Sequence, residues 1–220
     1  MKKIISEDGS KILYETDNED EVLLKYTDDV VDNKGNVKGS VKNKATINAA
    51  IAAHIFKMLS SYHVSTFFKS QKSAKELLLK KATPLPLRLL ISQEKAGDGA
   101  QTTMVKYESL GNETATAIER DEILASGLLT AQQLADVRRY ALKINALLSS
   151  FFARRGLELL DFSVQFGLVN GKITVSSDFT LDTCELKDTE SKTKFKKSYL
   201  LTHIDDASEL YELFHRKVML

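Results

Sequence analysis

The chain has 220 residues, with 31 Lys and Arg against 30 Asp and Glu and a formal net charge of +1. A composition of 43% hydrophobic and 28% charged residues excludes wholesale disorder, which needs low hydrophobicity and high net charge. The near-zero net charge excludes nucleic-acid binding by bulk attraction and leaves only a local basic patch to consider. The length fits one large domain or two small ones sharing an interface. Cys184 is the sole cysteine, so an intramolecular disulfide and a thiolate zinc site are excluded, and a reducing, cytoplasmic home is expected. Lys2 and Lys3 are followed by Glu7 and Asp8 before any apolar run of leader length. The uncharged stretch Ala45 to Phe56 has 12 residues, short of the roughly 20 that a membrane helix needs, so a soluble protein without a membrane partner is expected.

In chain order, Asp8-Gly9 signals a tight turn before two short apolar runs, 11–14 and 21–26, which read as strands joined by the polar turn 15–20. The polar stretch 28–39, with Gly35 and Gly39, reads as a loop. A helix is predicted over 43–62, because Ile47, Ile51, Ile55, Met58 and Leu59 fall on one stripe at 3.6-residue spacing. Strand-like runs follow at 66–69, 76–80 and 85–91, with Pro84 and Pro86 bracketing a rigid connector. Both prolines of the chain lie there, which sets the expected boundary between an N-terminal β-rich lobe, 1–83, and a C-terminal α+β lobe, 84–220. In 93–112 only Met104-Val105 and Tyr107 hint at a strand. A long helix is predicted from Thr130 to Arg155, started by a Thr130/Gln133 capping box, stopped at Gly156, and burying Leu134, Val137, Ala141, Ile144, Leu148 and Phe151. Asn170-Gly171 then predicts a hairpin within 157–178, and 209–220 reads as a short amphipathic helix. The sum is an α+β protein.

Several familiar chemistries are missing. There is no Walker P-loop, no Rossmann glycine fingerprint and no His-Glu-x-x-His. Gly97-Asp98-Gly99 has no lysine in register and reads as a solvated turn. The four histidines lack metal-type spacing; His54 reads as a packed helix residue and Cys184 as a buried small hydrophobe. In the hairpin, alternation places Asp161, Ser163 and Gln165 on one strand face and Phe162, Val164 and Phe166 on the other. With Asp178 and Asp182 at the end of the returning strand, this is either an oxygen-ligand cluster of the kind that holds a Mg²⁺-nucleotide or a polar sheet face turned to water. Lys80 and Lys81 are likewise either phosphate-binding ammonium groups or a solvated strand edge.

Three segments, 79–87 (LKKATPLPL), 157–167 (LELLDFSVQFG) and 182–188 (DTCELKD), resemble the SAICAR synthetase family, the phosphoribosylaminoimidazole-succinocarboxamide synthases of purine biosynthesis. The run 8–14 (DGSKILY) resembles that family's phosphate-covering hairpin, and 26–56 aligns without a gap, matching at Gly35, Lys44 and Asn48. The similarity spans residues 5–92 and 131–200. It implies a two-lobed fold with ATP and Mg²⁺ in the cleft, adenine against the connector around Thr83 and Leu85, and Lys11 with Lys80 and Lys81 on the phosphates. It further implies Asp161 and Asp178 as catalytic carboxylates, Asp178 and Gln165 as metal-facing groups, and Asp182 and Lys44 on the substrate side. The implied reaction joins a small-molecule carboxylate to an amine through an acyl phosphate, and the implied assembly is a homodimer.

The departures from the family pattern point away from the standard substrate. The family's Lys and Glu after the Asp-Phe pair are Ser163 and Gln165 here, a metal-binding Asp is Ser177, the Arg after Asp-Thr-Cys is Glu185, and an Arg-Asn pair is Ser92-Gln93. Replacing Arg by Glu repels a sugar phosphate where the family attracts one. The expectation is therefore an ATP-dependent ligase acting on another acid, with a catalytically inactive interaction protein as the alternative and a working SAICAR synthetase that tolerates the replacements as the third.

Overall fold

The computed structural model describes residues 3–32, 35–95, 101–111 and 115–219. Among the described residues it has two large antiparallel sheets and a two-stranded one. The first takes β1 (Ile4–Glu7), β2 (Lys11–Glu15), β3 (Glu21–Tyr26), β6 (Phe68–Ser73) and β7 (Glu76–Lys80) in the order β1-β2-β3-β7-β6. β3 and β7 occupy its centre, where Val22, Leu23 and Leu24 lie against Leu77, Leu78 and Leu79 in direct register and are buried.

The polar stretch 28–39 is less of a loop than its composition suggests. It contains the hairpin of β4 (Asp29–Val31) and β5 (Val37–Ser40), whose Val30 and Val31 are buried. Two valines give too short an alternation to register as a strand in sequence. Helix α1 (Lys44–Ser61) buries the expected Ile47, Ile51, Ile55 and Leu59, and also Ala45, Ala49, Ala52 and Ala53 from its other faces. Such all-round burial marks a helix enclosed by the core rather than lying on it. The helix packs against β3, β6 and β7 on one side and the C-terminal helix α5 (Ile204–Met219) on the other.

The second sheet runs β10-β9-β8-β11-β13-β14, with β12 paired to β11. Its members are β8 (Thr83–Lys95), β9 (Gln101–Leu110), β10 (Ala115–Ile118), β11 (Leu157–Val169), β12 (Lys172–Val175), β13 (Cys184–Asp188) and β14 (Lys194–Phe195). The two prolines sit inside β8 instead of forming a free connector. Pro84 pairs with Gly167, Pro86 falls at the register shift beyond it, and β9 joins the other side of β8 only from Leu87. A residue without an N–H is tolerated where a ladder is interrupted. Gly167 is required there, because a Cβ on it would stand 2.9 Å from the Thr83 carbonyl oxygen. The stretch 93–112, with its sparse strand signal, carries the ends of the longest ladder, Leu87↔Ser109 through Lys95↔Gln101; Gly97-Asp98-Gly99 lies outside the described residues.

Behind this sheet lies α3 (Ala131–Ala153), following the short α2 (Arg120–Ala125). Its capping box forms as predicted: the Gln133 N–H donates to Thr130 Oγ1 at 3.1 Å, and the Thr130 N–H to Gln133 Oε1 at 3.0 Å. The predicted face from Leu134 to Phe151 is the buried one. At the β11–β12 turn, Asn170 and Gly171 have φ of 50° and 74°, the paired positive values that a two-residue hairpin needs. The tail helix begins earlier than its stripe suggested. A short α4 (Lys197–Thr202) precedes α5, which opens with Asp205 and Asp206, closes with Arg216 and Lys217, and turns Leu210, Tyr211, Phe214 and Val218 inward.

Thr130→Ala removes one half of the capping box and is expected to lower stability by about 1 kcal/mol, whereas Leu148→Ala in the fully buried face costs about 2–5 kcal/mol. Urea unfolding of the two variants beside the parent chain measures both.

Candidate active site

The site starts from the β1–β2 turn. Asp8 Oδ1 accepts the N–H of Ser10 at 2.9 Å, the N–H of Lys11 at 2.8 Å and the Ser10 hydroxyl at 2.8 Å, while Gly9 takes φ of +81°. This turn aims Lys11 from the first sheet toward the end of the β11–β12 hairpin, where its Nζ donates to Asp178 Oδ1 at 2.8 Å. Tyr26, fully buried at the end of β3, donates its hydroxyl to the other oxygen, Oδ2, at 2.6 Å. Burial alone would pull the Lys11 ammonium down, but the carboxylates of Asp178 and Asp182 more than offset it and hold Lys11 above its ordinary value. Burial and the Asp178 charge push the Tyr26 phenol well up.

Asp182 is held by a second set of groups. Lys44 Nζ donates to its Oδ2 at 2.9 Å, Asn48 Nδ2 donates to the same oxygen at 3.0 Å, and the Tyr211 hydroxyl from α5 lies 3.4 Å from Oδ1. Lys44 and Asn48 are fully buried. Burial favours the neutral acid at Asp182, yet Lys44 and Lys11 outweigh it and keep its carboxyl below the usual range. Asn48 Oδ1 finds no hydrogen-bond partner among the described residues.

Three cavities meet at this point. A cleft of about 480 Å³ has apolar walls from Leu13, Leu24, Phe67, Leu79 and Pro84, with Lys11, Gln165, Ser177 and Asp178 at its polar end. A second cavity of about 470 Å³ is lined by Ser92, Asp161, Ser163, Asp182 and Glu185, with Lys106 and Lys197 on its rim. A third, about 730 Å³, includes Lys11, Arg88, Asp182 and Lys197. Thr183 lines all three, and Ser163 joins the first two. On the wall of the second cavity Asp161 and Glu185 are register partners across β11 and β13 and share a hydrogen bond. Burial, then the Glu185 charge, pushes the Asp161 carboxyl up to about 6.

The expected residues are therefore partly gathered. Lys11, Gln165 and Asp178 line the cleft, while Asp161 and Asp182 line the adjoining cavity, so the two carboxylates expected to be catalytic sit in different limbs. Lys44 lies beneath Asp182 and reaches the site only through it. Lys80, Lys81, Thr83 and Leu85 are not among the cleft walls: the Lys80 and Lys81 N–H groups bond to Phe67 and Asp20, Thr83 is exposed, Leu85 is in the core, and the connector contributes Pro84 instead. Ser92 lines the second cavity, while Gln93 turns to the other face and bonds Asn145 and Thr103. Cys184 is buried, and burial pushes its thiol up, as expected for a packing residue. His54 packs 5.6 Å from the Phe151 ring.

Sequence reading missed Tyr26, Tyr211 and Arg88. The two tyrosines stand at periodic core positions where a hydroxyl carries no signal. Arg88 lines the cleft but is tied to Glu108 on β9 at 2.6 Å, a pairing set by strand register.

Among the described residues no group of three or more acidic, histidine or cysteine side chains forms a ready metal nest. The donor chemistry at the cleft still fits Mg²⁺, which takes hard oxygens from one or two protein groups and completes its shell with water and phosphate. Asp178 and Gln165 supply a carboxylate and an amide oxygen on the same wall.

The fold is that of a two-lobed ligase. It superimposes on a phosphoribosylaminoimidazole-succinocarboxamide synthase from Ehrlichia chaffeensis with a TM-score of 0.89, 24% identity and 98% of each chain covered. It also superimposes on a type-2 SAICAR synthetase solved in complex with ADP, with a TM-score of 0.89, 22% identity, and 98% of this chain and 97% of that one covered. In sequence the chain is 30% identical to the phosphoribosylaminoimidazole-succinocarboxamide synthase of Chloroherpeton thalassium over 98% of both chains. It is 29% identical to that of Clostridium novyi, covering 98% of this chain and 97% of the relative. Residues 5–217 match the SAICAR synthetase family, and the chain belongs to that family of ATP-dependent ligases of purine biosynthesis.

The raised Asp161 carboxyl makes a signed prediction. The folded chain holds that proton more tightly than the unfolded one, so its contribution to stability is present at low pH and is lost as pH rises through about 6. Asp161→Asn keeps a donor toward Glu185 without the like charge. At this partly solvated position it is expected to gain on the order of 1 kcal/mol near pH 7.5, with the gain vanishing near pH 4. Urea unfolding at the two pH values checks it; an equal effect at both would contradict the assignment.

Proposed function

We propose that this chain is a Mg²⁺- and ATP-dependent ligase that joins a carboxylate to an amine, acting on an acid other than the phosphorylated aminoimidazole of the standard purine step. The observation that carries this reading is the contrast between adjoining limbs. Lys11 is aimed into an apolar-walled cleft of nucleotide size, while the acceptor cavity beside it presents Glu185 and Asp161. At about 4 Å and an effective dielectric near 20, one such carboxylate opposes a phosphate charge by about 4 kcal/mol. In this reading a sugar phosphate is disfavoured against that wall, and the cations Lys106 and Lys197 of the same cavity offset the carboxylates only in part.

ATP supplies the phosphoryl group that turns the acid's oxygen into a leaving group, so that the amine attacks the acyl phosphate, phosphate departs and an otherwise uphill amide forms. Lys11 neutralises phosphate oxygens in this reading, and Asp178 with Gln165 holds Mg²⁺. Asp182, oriented by the buried Lys44, positions the substrates where the limbs meet. The attacking amine must lose a proton, and Asp161, with its carboxyl near 6, is suited to accept it. Assembly as a homodimer and residence in the cytoplasm belong to the same reading.

One observation favours a second reading, an inactive binding protein. Both Asp178 oxygens are occupied, by Lys11 and by Tyr26, so the cleft neutralises its own charges. Thermal unfolding with ADP and ATP, with and without Mg²⁺, separates the two readings. Nucleotide at a hundred times its dissociation constant is expected to add about 2.7 kcal/mol, and Lys11→Met to weaken that binding at least tenfold. Phosphate release on offering carboxylates and amines is the decisive gain. Absence of any nucleotide effect leaves the binding-protein reading. Glu185→Arg is expected to improve binding of phosphorylated carboxylates at least tenfold, measured by calorimetry.

A further inference from the structure

The second sheet has two faces, and the acceptor cavity uses only one. Lys106 on β9 lines that cavity, while its neighbour Tyr107 points to the opposite face, as strand alternation requires. There Tyr107 borders a separate groove of about 580 Å³, closed by the start of α2 and one face of α3. The α3 wall is a helical stripe: Ala131, Ala135 and Arg139 form one row at i, i+4 spacing, and Leu134, Arg138 and Leu142 form the next. Leu124 and Arg120 complete it from α2.

The charges in this groove are all of one sign. Arg120, Arg138 and Arg139 line it, and no acidic residue does so among those described. Arg139 is engaged by Asp136 at 2.8 Å and lies 5.1 Å from the Tyr140 ring. Arg120 and Arg138 make no hydrogen bond or ion pair among the described residues. Exposed arginines on a helix are ordinarily solvated. Here, however, two unengaged guanidiniums stand over a concave apolar floor of Leu124, Leu134, Leu142 and Tyr107, where a cleft of one sign concentrates its field. Guanidinium forks match the paired oxygens of phosphate and carboxylate, and the volume lies in the range of small-molecule sites.

We propose that this groove between β9, α2 and α3 is a binding site for a small organic anion, with a phosphate or carboxylate on Arg120 and Arg138 and an aromatic or apolar body on the leucine–tyrosine floor. It lies on the opposite sheet face from the acceptor cavity, so it is a site for a ligand other than the reacting acid, and it stands whether or not the chain is an active ligase.

Calorimetric titration of the full chain at low salt with phenyl phosphate, benzoate and inorganic phosphate tests it. At least one aromatic anion is expected to bind at one equivalent and at least tenfold more tightly than inorganic phosphate; which of the two binds better identifies the acidic group. The exposed pair Arg120→Ala with Arg138→Ala is expected to weaken it at least tenfold, while Lys11→Met, which alters the nucleotide cleft, leaves it unchanged. Binding that survives the double substitution, binding lost in Lys11→Met, inorganic phosphate binding as tightly as either aromatic anion, or no binding of any probe at millimolar concentration would overturn the proposal.

Discussion

The ion pair between Lys11 and Asp178 ties the first sheet to the second at the floor of the cleft, and the geometry of the site depends on it. Its side chains are 18% and 2% exposed, so both charges are largely withdrawn from water. Removing one partner from such a pair leaves an uncompensated buried charge, typically costing about 3–5 kcal/mol. The Tyr26 hydroxyl satisfies the second Asp178 oxygen and fixes which way the carboxylate faces. The pair brings the Asp8–Gly9 turn over the end of the β11–β12 hairpin. With Tyr26, it leaves both Asp178 oxygens satisfied within the protein.

Asp182 is anchored in the adjoining cavity as Asp178 is in the cleft. Its partners come from α1, through Lys44 and Asn48, and from α5, through Tyr211, so two packed helices hold one carboxylate that lines two of the three cavities. This gives the C-terminal helix a part in the site although it lies outside the motif-bearing segments. Asp161 and Glu185 are partners across adjacent strands and form no ion pair with a lysine or arginine among the described residues, and burial with the Glu185 charge raises the Asp161 carboxyl to about 6. Lys106 and Lys197 line the same cavity, so its charges are of both signs.

The strong local signals and the family motifs were legible because each is a short-range constraint. The α3 capping box, the stripe of α1, the Asn170-Gly171 turn and the alternation of Asp161, Ser163 and Gln165 against Phe162, Val164 and Phe166 all depend on residues within a turn or two of one another. The β4–β5 hairpin was too short for such a signal. The prolines of β8 read as a break because nothing local says that the neighbouring ladder is interrupted beside them. Lys80 and Lys81 resembled phosphate ligands in sequence, but which side of the first sheet meets the cleft is decided by how that sheet stacks on the second.

By itself, then, the sequence determined most of the element types, the mixed α+β class and the family, since these follow from local periodicity, turn chemistry and residue identity. Tertiary structure alone decided that Lys11 meets Asp178, that Tyr26 and Tyr211 complete the two carboxylate anchors, that Asp161 faces Glu185, and that arginines of α2 and α3 close a groove behind the sheet. The partners in these contacts come from separate strands and helices, as far apart as 167 residues between Lys11 and Asp178, and strand register and sheet stacking, which no local window contains, bring them together.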